Sequence, residues 1–304
     1  MTTVAITGAT GYVGRFVVAE LQQRGLQIRA LARPTTDRTG FAAPIDWITG
    51  DLCTPDAINQ LVQNVDAIVH LAYEHIPGQY RNGEGDNLPA WLDANLNGSL
   101  RLLQAAQQAN VGRFIFLSSR AVFSHTEPDH VLDELHPIAP DSHYGAYKAS
   151  VEAFMHSFAH AGNMSTCSVR ATGIYGLSYP LERSKWWELI QAVLHDKPIT
   201  SNRGGTEVHG ADVATVIATL LTRPTLDMNT LHLSDLYVTT REIVRLAREF
   251  AQRPADLPPD SPPPTNVMQS RYLADLGIML GGHALLEKTI ADLVQAAKST
   301  LKKV

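Results

Sequence analysis

The 304-residue chain has only two cysteines, Cys53 and Cys167. They are too few and too far apart to form a disulfide framework, so small buried hydrophobes in a reducing cytoplasm are the expectation. Long apolar runs are also lacking. No stretch approaches the ~18 residues of a spanning helix, and no basic segment followed by an apolar core opens the chain, which argues against a membrane span or a secretion signal. Charge of one sign is not concentrated either. The formal net charge is −5, and apart from Lys302-Lys303 the basic residues are dispersed, so nucleic acid is not an expected partner. There is no internal repeat. The one biased stretch, Pro254 to Pro264, denies the backbone donors a helix or ladder needs and predicts an extended surface connection. With 44% of residues apolar, the chain can bury a real core in one large domain or two modest ones.

What is present begins at once. Val4-Ala5-Ile6-Thr7 is a short apolar strand that breaks into Gly8, Gly11 and Gly14, after which Val13, Phe16, Val17 and Leu21 follow at helical spacing. Strand, glycine turn and helix start together predict a pyrophosphate seat: the turn lets backbone approach a phosphate, and the new helix points free N–H groups at the anion. Strands are then expected at Gln27 to Ala32, Ile45 to Thr49, Ala67 to Ala72, Arg113 to Leu117 closing on Ser118-Ser119, and Thr166 to Arg170, with a last short one at Leu231 to Leu233. Helical stripes lie between them, and such alternation implies a parallel sheet. The expected fold is α/β, a Rossmann-type doubly wound parallel sheet with a small C-terminal substrate lobe. The dinucleotide-binding part covers residues 1–172, rejoined by about 208–234, and the lobe covers 173–207 and 235–304.

Tyr144-Gly145-Ala146-Tyr147-Lys148 places a phenol and an ammonium four residues apart, on one helix face. At about 4 Å and an effective dielectric of about 20, the charge contributes about 4 kcal/mol, enough to bring a phenol from about 10 toward 7. Such a phenol can trade a proton with a hydroxyl or carbonyl. Ser118-Ser119 closes a parallel strand, beyond whose carboxyl end ligands bind in such sheets; a serine there either bonds a reacting oxygen or caps a turn. Asn95 reads alone as a helix cap. The stripe Val151, Phe154, Met155 and Phe158 reads as core. His125, His130, His136 and His143, with Asp129, Asp133 and Glu134, match no compact zinc spacing and read as a solvated polar loop, so no metal is expected. His209 and Asp212 read as ties between lobe and sheet.

Taken together, Thr7 to Gly14, Gly50-Asp51-Leu52, His70-Leu71-Ala72, Asn95 to Leu100, Phe116 to Ser119, Tyr144 to Lys148, Arg170 to Gly176 and Val208 to Ala214 resemble, in joint order, an extended short-chain dehydrogenase/reductase of the NAD-dependent epimerase/dehydratase type. The resemblance implies that Tyr144 is the acid/base, that Lys148 holds the nicotinamide ribose and tunes the phenol, that Ser119 orients the reacting oxygen and that Asn95 supports them. It implies cofactor contacts from Gly8, Thr10, Gly11, Tyr12, Val13 and Gly14, from Asp51 and Leu52 near adenine, and from Leu71 and Ala72 near ribose and pyrophosphate. Ser118, Tyr144, Lys148 and Gly173 complete that set. Relatives commonly dimerise through the helices that follow Asn95 and Tyr144.

The second strand ends at Arg33, with no acidic residue for a ribose 2′-hydroxyl, which favours NADP over NAD. In nucleotide-sugar members an arginine four residues before the residue matching His209 binds the diphosphate; here that position is Gly205, although Arg203, Arg183 or Lys185 stand nearby. The expectation is therefore hydride transfer to or from a secondary alcohol or ketone of a sugar-like or small carbonyl substrate. Nucleotide-sugar epimerisation is the alternative. Dehydration is disfavoured because Arg120-Ala121, not acidic residues, follow Ser119. A non-catalytic redox sensor is the alternative of another class, but such relatives typically lose the tyrosine and lysine kept here.

Overall fold

The computed structural model describes residues 2–76, 78–79, 81–124, 126, 130–254 and 256–301. Met1, His125, Asp129 and the Lys302-Lys303 tail lie outside the described residues. In chain order the regular elements are β1 (Thr3–Thr7), α1 (Tyr12–Gln23), β2 (Gln27–Ala32), β3 (Asp46–Thr49), α2 (Pro55–Val62), β4 (Ala67–His70), α3 (Leu88–Leu92), α4 (Gly98–Gln108), β5 (Arg113–Ser119) and α5 (His143–Ala161). They continue as β6 (Ser165–Ala171), β7 (Gly173–Tyr175), α6 (Trp187–Leu194), β8 (Gly204–His209), α7 (Gly210–Thr222), β9 (Thr230–Leu233), β10 (Leu236–Thr239), α8 (Thr240–Ala251) and α9 (Gly282–Leu301).

Seven strands form one parallel sheet in the order β3-β2-β1-β4-β5-β6-β9. Chain order reverses at β1, so a crevice opens beyond its carboxyl end, between the segments leaving β2 and β4. Strands covered on both faces read as continuous apolar runs, which is why Val4 to Ile6 and Ile68-Val69 are fully buried. One face packs on α1 and α7 through Val17, Leu21, Val213 and Ile217. The other packs on α2, α4 and α5 through Leu61, Leu102, Tyr147 and Val151. β4 stops two residues short of the expected Ala72 because Thr7 captures the next amides: its carbonyl accepts from Leu71 N at 3.1 Å and its hydroxyl from Ala72 N at 3.2 Å.

A second, three-stranded sheet, β10-β8-β7, lay hidden from the sequence pattern because its strands are short and carry Gly173, Gly204 and Gly205. It adjoins a separate apolar cluster of Trp187, Ile190, Val244, Leu246, Leu286, Ile290 and Leu293, drawn from α6, α8 and α9. Within 235–304, Tyr272, Leu273, Leu276, Ile278 and Leu280 pack on the large sheet's core. Described residues of Pro254 to Pro264 form no helix or strand, and they are held by Arg241 Nη1 to Pro258 O at 2.7 Å and Tyr237 Oη to Pro262 O at 2.6 Å. Val151 and Met155 are buried as the stripe reading requires, but Phe154 is 45% exposed. No helix among the described residues is long and apolar enough to cross a membrane.

Candidate active site

Glycine is required where β1 meets α1. Gly8 has φ +76, and a Cβ on it would come within 2.7 Å of Ala72 N; one on Gly14 would collide with the backbone of Gly8 and Ala9. The first turn of α1 therefore lies directly on the loop, closed by Gly11 N to Gly8 O at 3.0 Å. Among the described residues no side chain caps this helix, and its first turn contains no acidic residue. Its leading N–H groups are thus left to an anion from outside, with the positive end of the helix dipole behind them. Those residues fit a dinucleotide pyrophosphate. Beside them Tyr12 donates to Gly176 O at 2.7 Å and accepts from Lys185 N at 3.3 Å, joining the turn to the lobe. Thr10 and Val13 are half-buried in the same turn.

The proton-transfer candidates come together at the start of α5. Ser142 caps this helix, accepting from Gly145 N at 3.2 Å. Gly145 lets the helix press onto Ala121 O, where a Cβ would not fit. That contact sets the start of α5, which carries half-buried Tyr144, on the short turn Arg120–Val122 that leaves Ser119, whose hydroxyl accepts from Ala121 N at 3.1 Å. The cap reading of Ser119 is thus satisfied, with the donor hydrogen of the hydroxyl still available.

Lys148, 3% exposed, donates to Leu117 O at 2.7 Å. It is ringed by aromatic faces, its Nζ 4.4 Å from the centroid of Phe116, 5.0 Å from Tyr147, 5.6 Å from Tyr73 and 5.7 Å from Tyr144. Burial pulls its ammonium from 10.5 to about 7, against the opposing charge of Glu152 one turn on. Tyr73, which follows the His70-Leu71-Ala72 match and which sequence reasoning missed, packs on Tyr144 at 4.9 Å between centroids and stacks on His75 at 4.8 Å.

Ser118 and Ser119 present their side chains to different surroundings. Successive strand residues face opposite ways, and the buried hydroxyl of Ser118 donates to Glu152, away from the face of Ser119. Glu152 is paired with buried Arg170 at 2.6 Å, and Arg170 reaches His232 Nε2 at 3.3 Å. The segment around Asp133 and Glu134 is likewise less solvated than its composition suggests: Leu132 is fully buried, and Glu134 accepts from His232 N at 2.8 Å, Ser270 Oγ at 2.8 Å and Arg271 N at 3.0 Å. Among the described residues no three side chains gather as metal ligands.

Asn95 is not a cap. It lies in a π-helical turn, Asp93–Asn97, inside a run that Asn87 caps. Its amide grips the backbone of Glu74 from both sides, accepting from Glu74 N at 2.8 Å and donating to Glu74 O at 3.0 Å. A buried chain, Thr7 to His70 Nδ1 at 2.6 Å and His70 Nε2 to Ser99 at 2.8 Å, links this turn to the end of β1. Burial lowers His70 to about 3, keeping it neutral. Past the end of β3, Asp51 turns its carboxylate back on Cys53 N at 2.9 Å and Thr54 Oγ1 at 2.8 Å, and Leu52 is buried beneath Gly98. Arg33 extends from β2 and pairs with Glu74 at 2.9 Å.

On the lobe side, Glu207 fills the space above Gly173 and lies beside Gly205, paired with Lys185. Burial raises this carboxyl and Lys185 lowers it. Sequence reasoning missed Glu207 because only the fold brings it over two residues that have no side chain. His209 caps α7, accepting from Ala211 N at 3.1 Å, and Asp212 accepts from Gly281 N at 3.1 Å, a tie between remote segments.

A dTDP-glucose 4,6-dehydratase of Streptomyces niveus is 29% identical over 192 residues, 58% of this chain and 55% of the relative. A 3-beta-hydroxysteroid dehydrogenase of Mycolicibacterium neoaurum is 26% identical over 182 residues, 57% of this chain and 48% of the relative. The chain thus spans about half the length of the curated relatives it matches. In fold, it resembles a Thermus thermophilus UDP-glucose 4-epimerase solved in complex with NAD, with a TM-score of 0.80 at 21% identity over 97% of this chain and 99% of that one. The model of the NAD dependent epimerase/dehydratase family matches residues 4–230, from the glycine turn through Asn95, Tyr144 and Gly173 to β9, and this chain belongs to that family.

Proposed function

We propose that the chain is an NAD(P)-dependent oxidoreductase that moves a hydride to or from a secondary alcohol or ketone, with Tyr144 carrying the accompanying proton. The observation that supports this most is the pairing of an uncapped, glycine-cradled helix start with a Tyr-Lys helix turn beyond the same sheet edge. A nicotinamide dinucleotide, when bound, supplies or accepts the hydride. Gly8, Gly11 and Gly14 seat its pyrophosphate, and Tyr144 gives its phenolic proton to a carbonyl oxygen or takes one from a hydroxyl. Lys148, buried against Tyr144, favours the phenolate whenever it is charged. Ser119 donates to the reacting oxygen.

Arg33 at the end of β2 supports NADP over NAD, because a guanidinium matches a 2′-phosphate and β2 itself does not end in an acidic residue for a ribose hydroxyl. The Glu207–Lys185 pair beside Gly173 and Gly205 supports a substrate without a diphosphate, since a buried carboxylate at that place disfavours a second anion. If the oxidised product turns over in place, the same groups serve epimerisation.

The test follows cofactor absorbance with panels of free sugars, sugar nucleotides and small ketones, in wild type and Tyr144→Phe. Turnover of the identified substrate should fall by about 10²–10⁴ while cofactor affinity holds, because only the transferable proton is removed. A folded Tyr144→Phe protein that works at the wild-type rate would overturn the assignment.

A further inference from the structure

We infer that Arg33 and Glu74 form a latch across the crevice above the glycine turn, one that weakens binding of both nicotinamide dinucleotides and is offset only by a 2′-phosphate. The inference rests on the dinucleotide reading above and adds Glu74 as a selectivity residue.

The topology carries it. β1 lies between β2 and β4, so the turn at Gly8 opens between the chains leaving those two strands. Arg33 is the first residue past β2, and Glu74 lies four residues past the end of β4. Strands two places apart in a sheet are separated by about 10 Å, a gap that a guanidinium and a carboxylate side chain close between them. They do so here, Arg33 Nη1 lying 2.9 Å from Glu74 Oε2.

Neither end is loose at its backbone. Asn95 clamps Glu74 N and O and is itself steadied by donating to Trp91 O at 3.0 Å, while Arg33 O accepts from Thr36 N at 3.1 Å. What remains free to move is the two side chains, 57% and 54% exposed. An ion pair so open to water is weak and parts readily.

A dinucleotide with its pyrophosphate on the start of α1 and its adenosine ribose at the end of β2 lies across the line joining these two residues. Either cofactor therefore separates the pair. NAD leaves the guanidinium without an anion. NADP replaces the carboxylate with a phosphate, which carries more charge and which arginine can bond through two N–H groups at once. Glu74 thus weakens both cofactors alike, and Arg33 rewards one of them.

The experiment titrates NADH and NADPH, by nicotinamide fluorescence, into wild type, Glu74→Gln and Arg33→Ala at low and high salt, with melting temperatures confirming that each variant is folded. Glu74→Gln should tighten both cofactors by about two- to fivefold with their ratio unchanged, and high salt should erase the gain. Arg33→Ala should tighten NADH by a similar factor and weaken NADPH by about tenfold. Unchanged affinities in Glu74→Gln, or a change in one cofactor only, would overturn the latch. If NADPH weakens in Arg33→Ala while Glu74→Gln behaves as wild type, the latch fails and the assignment of Arg33 stands. If wild type binds neither cofactor, the dinucleotide reading fails and the latch with it.

Discussion

Lys148 provides a measurement that needs no knowledge of the substrate. Its ammonium is fully enclosed, and burial lowers it from an ordinary 10.5 to about 7. The folded lysine therefore releases its proton as pH rises through 7, while the unfolded chain keeps it until about 10.5. Between those values the unfolded state binds more protons, so stability rises with pH, and the gain is lost again as pH falls through 7. At about 1.4 kcal/mol per pH unit per proton, the step from pH 6 to pH 9 is worth about 2–3 kcal/mol for this one group. The Leu117 carbonyl at 2.7 Å and the Phe116 ring at 4.4 Å favour the charged form and reduce the figure. The expected gain is then about 1–3 kcal/mol.

Lys148→Met keeps an unbranched apolar stem, one atom shorter than the lysine, and has no proton to lose. Urea unfolding of both proteins at pH 6 and pH 9 isolates the effect, because every other titration cancels in the difference. His70, the buried neighbour most exposed to the lysine's charge, is held near 3 and stays neutral throughout. Wild type should gain about 1–3 kcal/mol on Lys148→Met across that interval. A difference that stays constant, or that moves the other way, refutes a lysine buried at the cost of its charge.

Two further substitutions test the surrounding architecture. Gly14→Ala places a methyl group on the backbone of Gly8 and Ala9, which have no side-chain freedom with which to yield, and should cost about 1–3 kcal/mol or more in unfolding while abolishing NADH binding; a variant as stable as wild type would show that α1 does not lie on the turn. Glu152→Ala strands Arg170, whose side chain is 7% exposed, without its carboxylate and should cost about 3–5 kcal/mol in urea unfolding. A loss near zero would mean that Arg170 reaches water or another acid.

The elements of the site were legible wherever a feature repeats at short range. The strand, glycine turn and helix of residues 4–21 show themselves because apolar spacing and backbone sterics act between near neighbours. The Tyr144 to Lys148 spacing likewise fixes one helix face. Tyr73, Gly145 and Glu207 were not legible. Each matters through a residue remote in the chain: Tyr73 by packing on Tyr144, Gly145 by admitting Ala121 O, and Glu207 by covering Gly173. Ser118 and Asn95 show the converse. The sequence marked both positions, but strand alternation turned Ser118 toward Glu152, and a π-helical turn gave Asn95 the backbone of Glu74 to hold.

The chain by itself therefore determined the alternation of strands and helices in the large sheet, the glycine turn and the candidate proton carrier, because these depend on residue type and local period. Tertiary structure alone decided which charges meet. Arg33 and Glu74, Lys185 and Glu207, and Glu152 and Arg170 are ion pairs whose members lie on different elements. A charge in the sequence has no direction until packing fixes its distance to another and removes the water between them. That same removal of water turns Lys148 from a permanent cation into a group that titrates near neutrality.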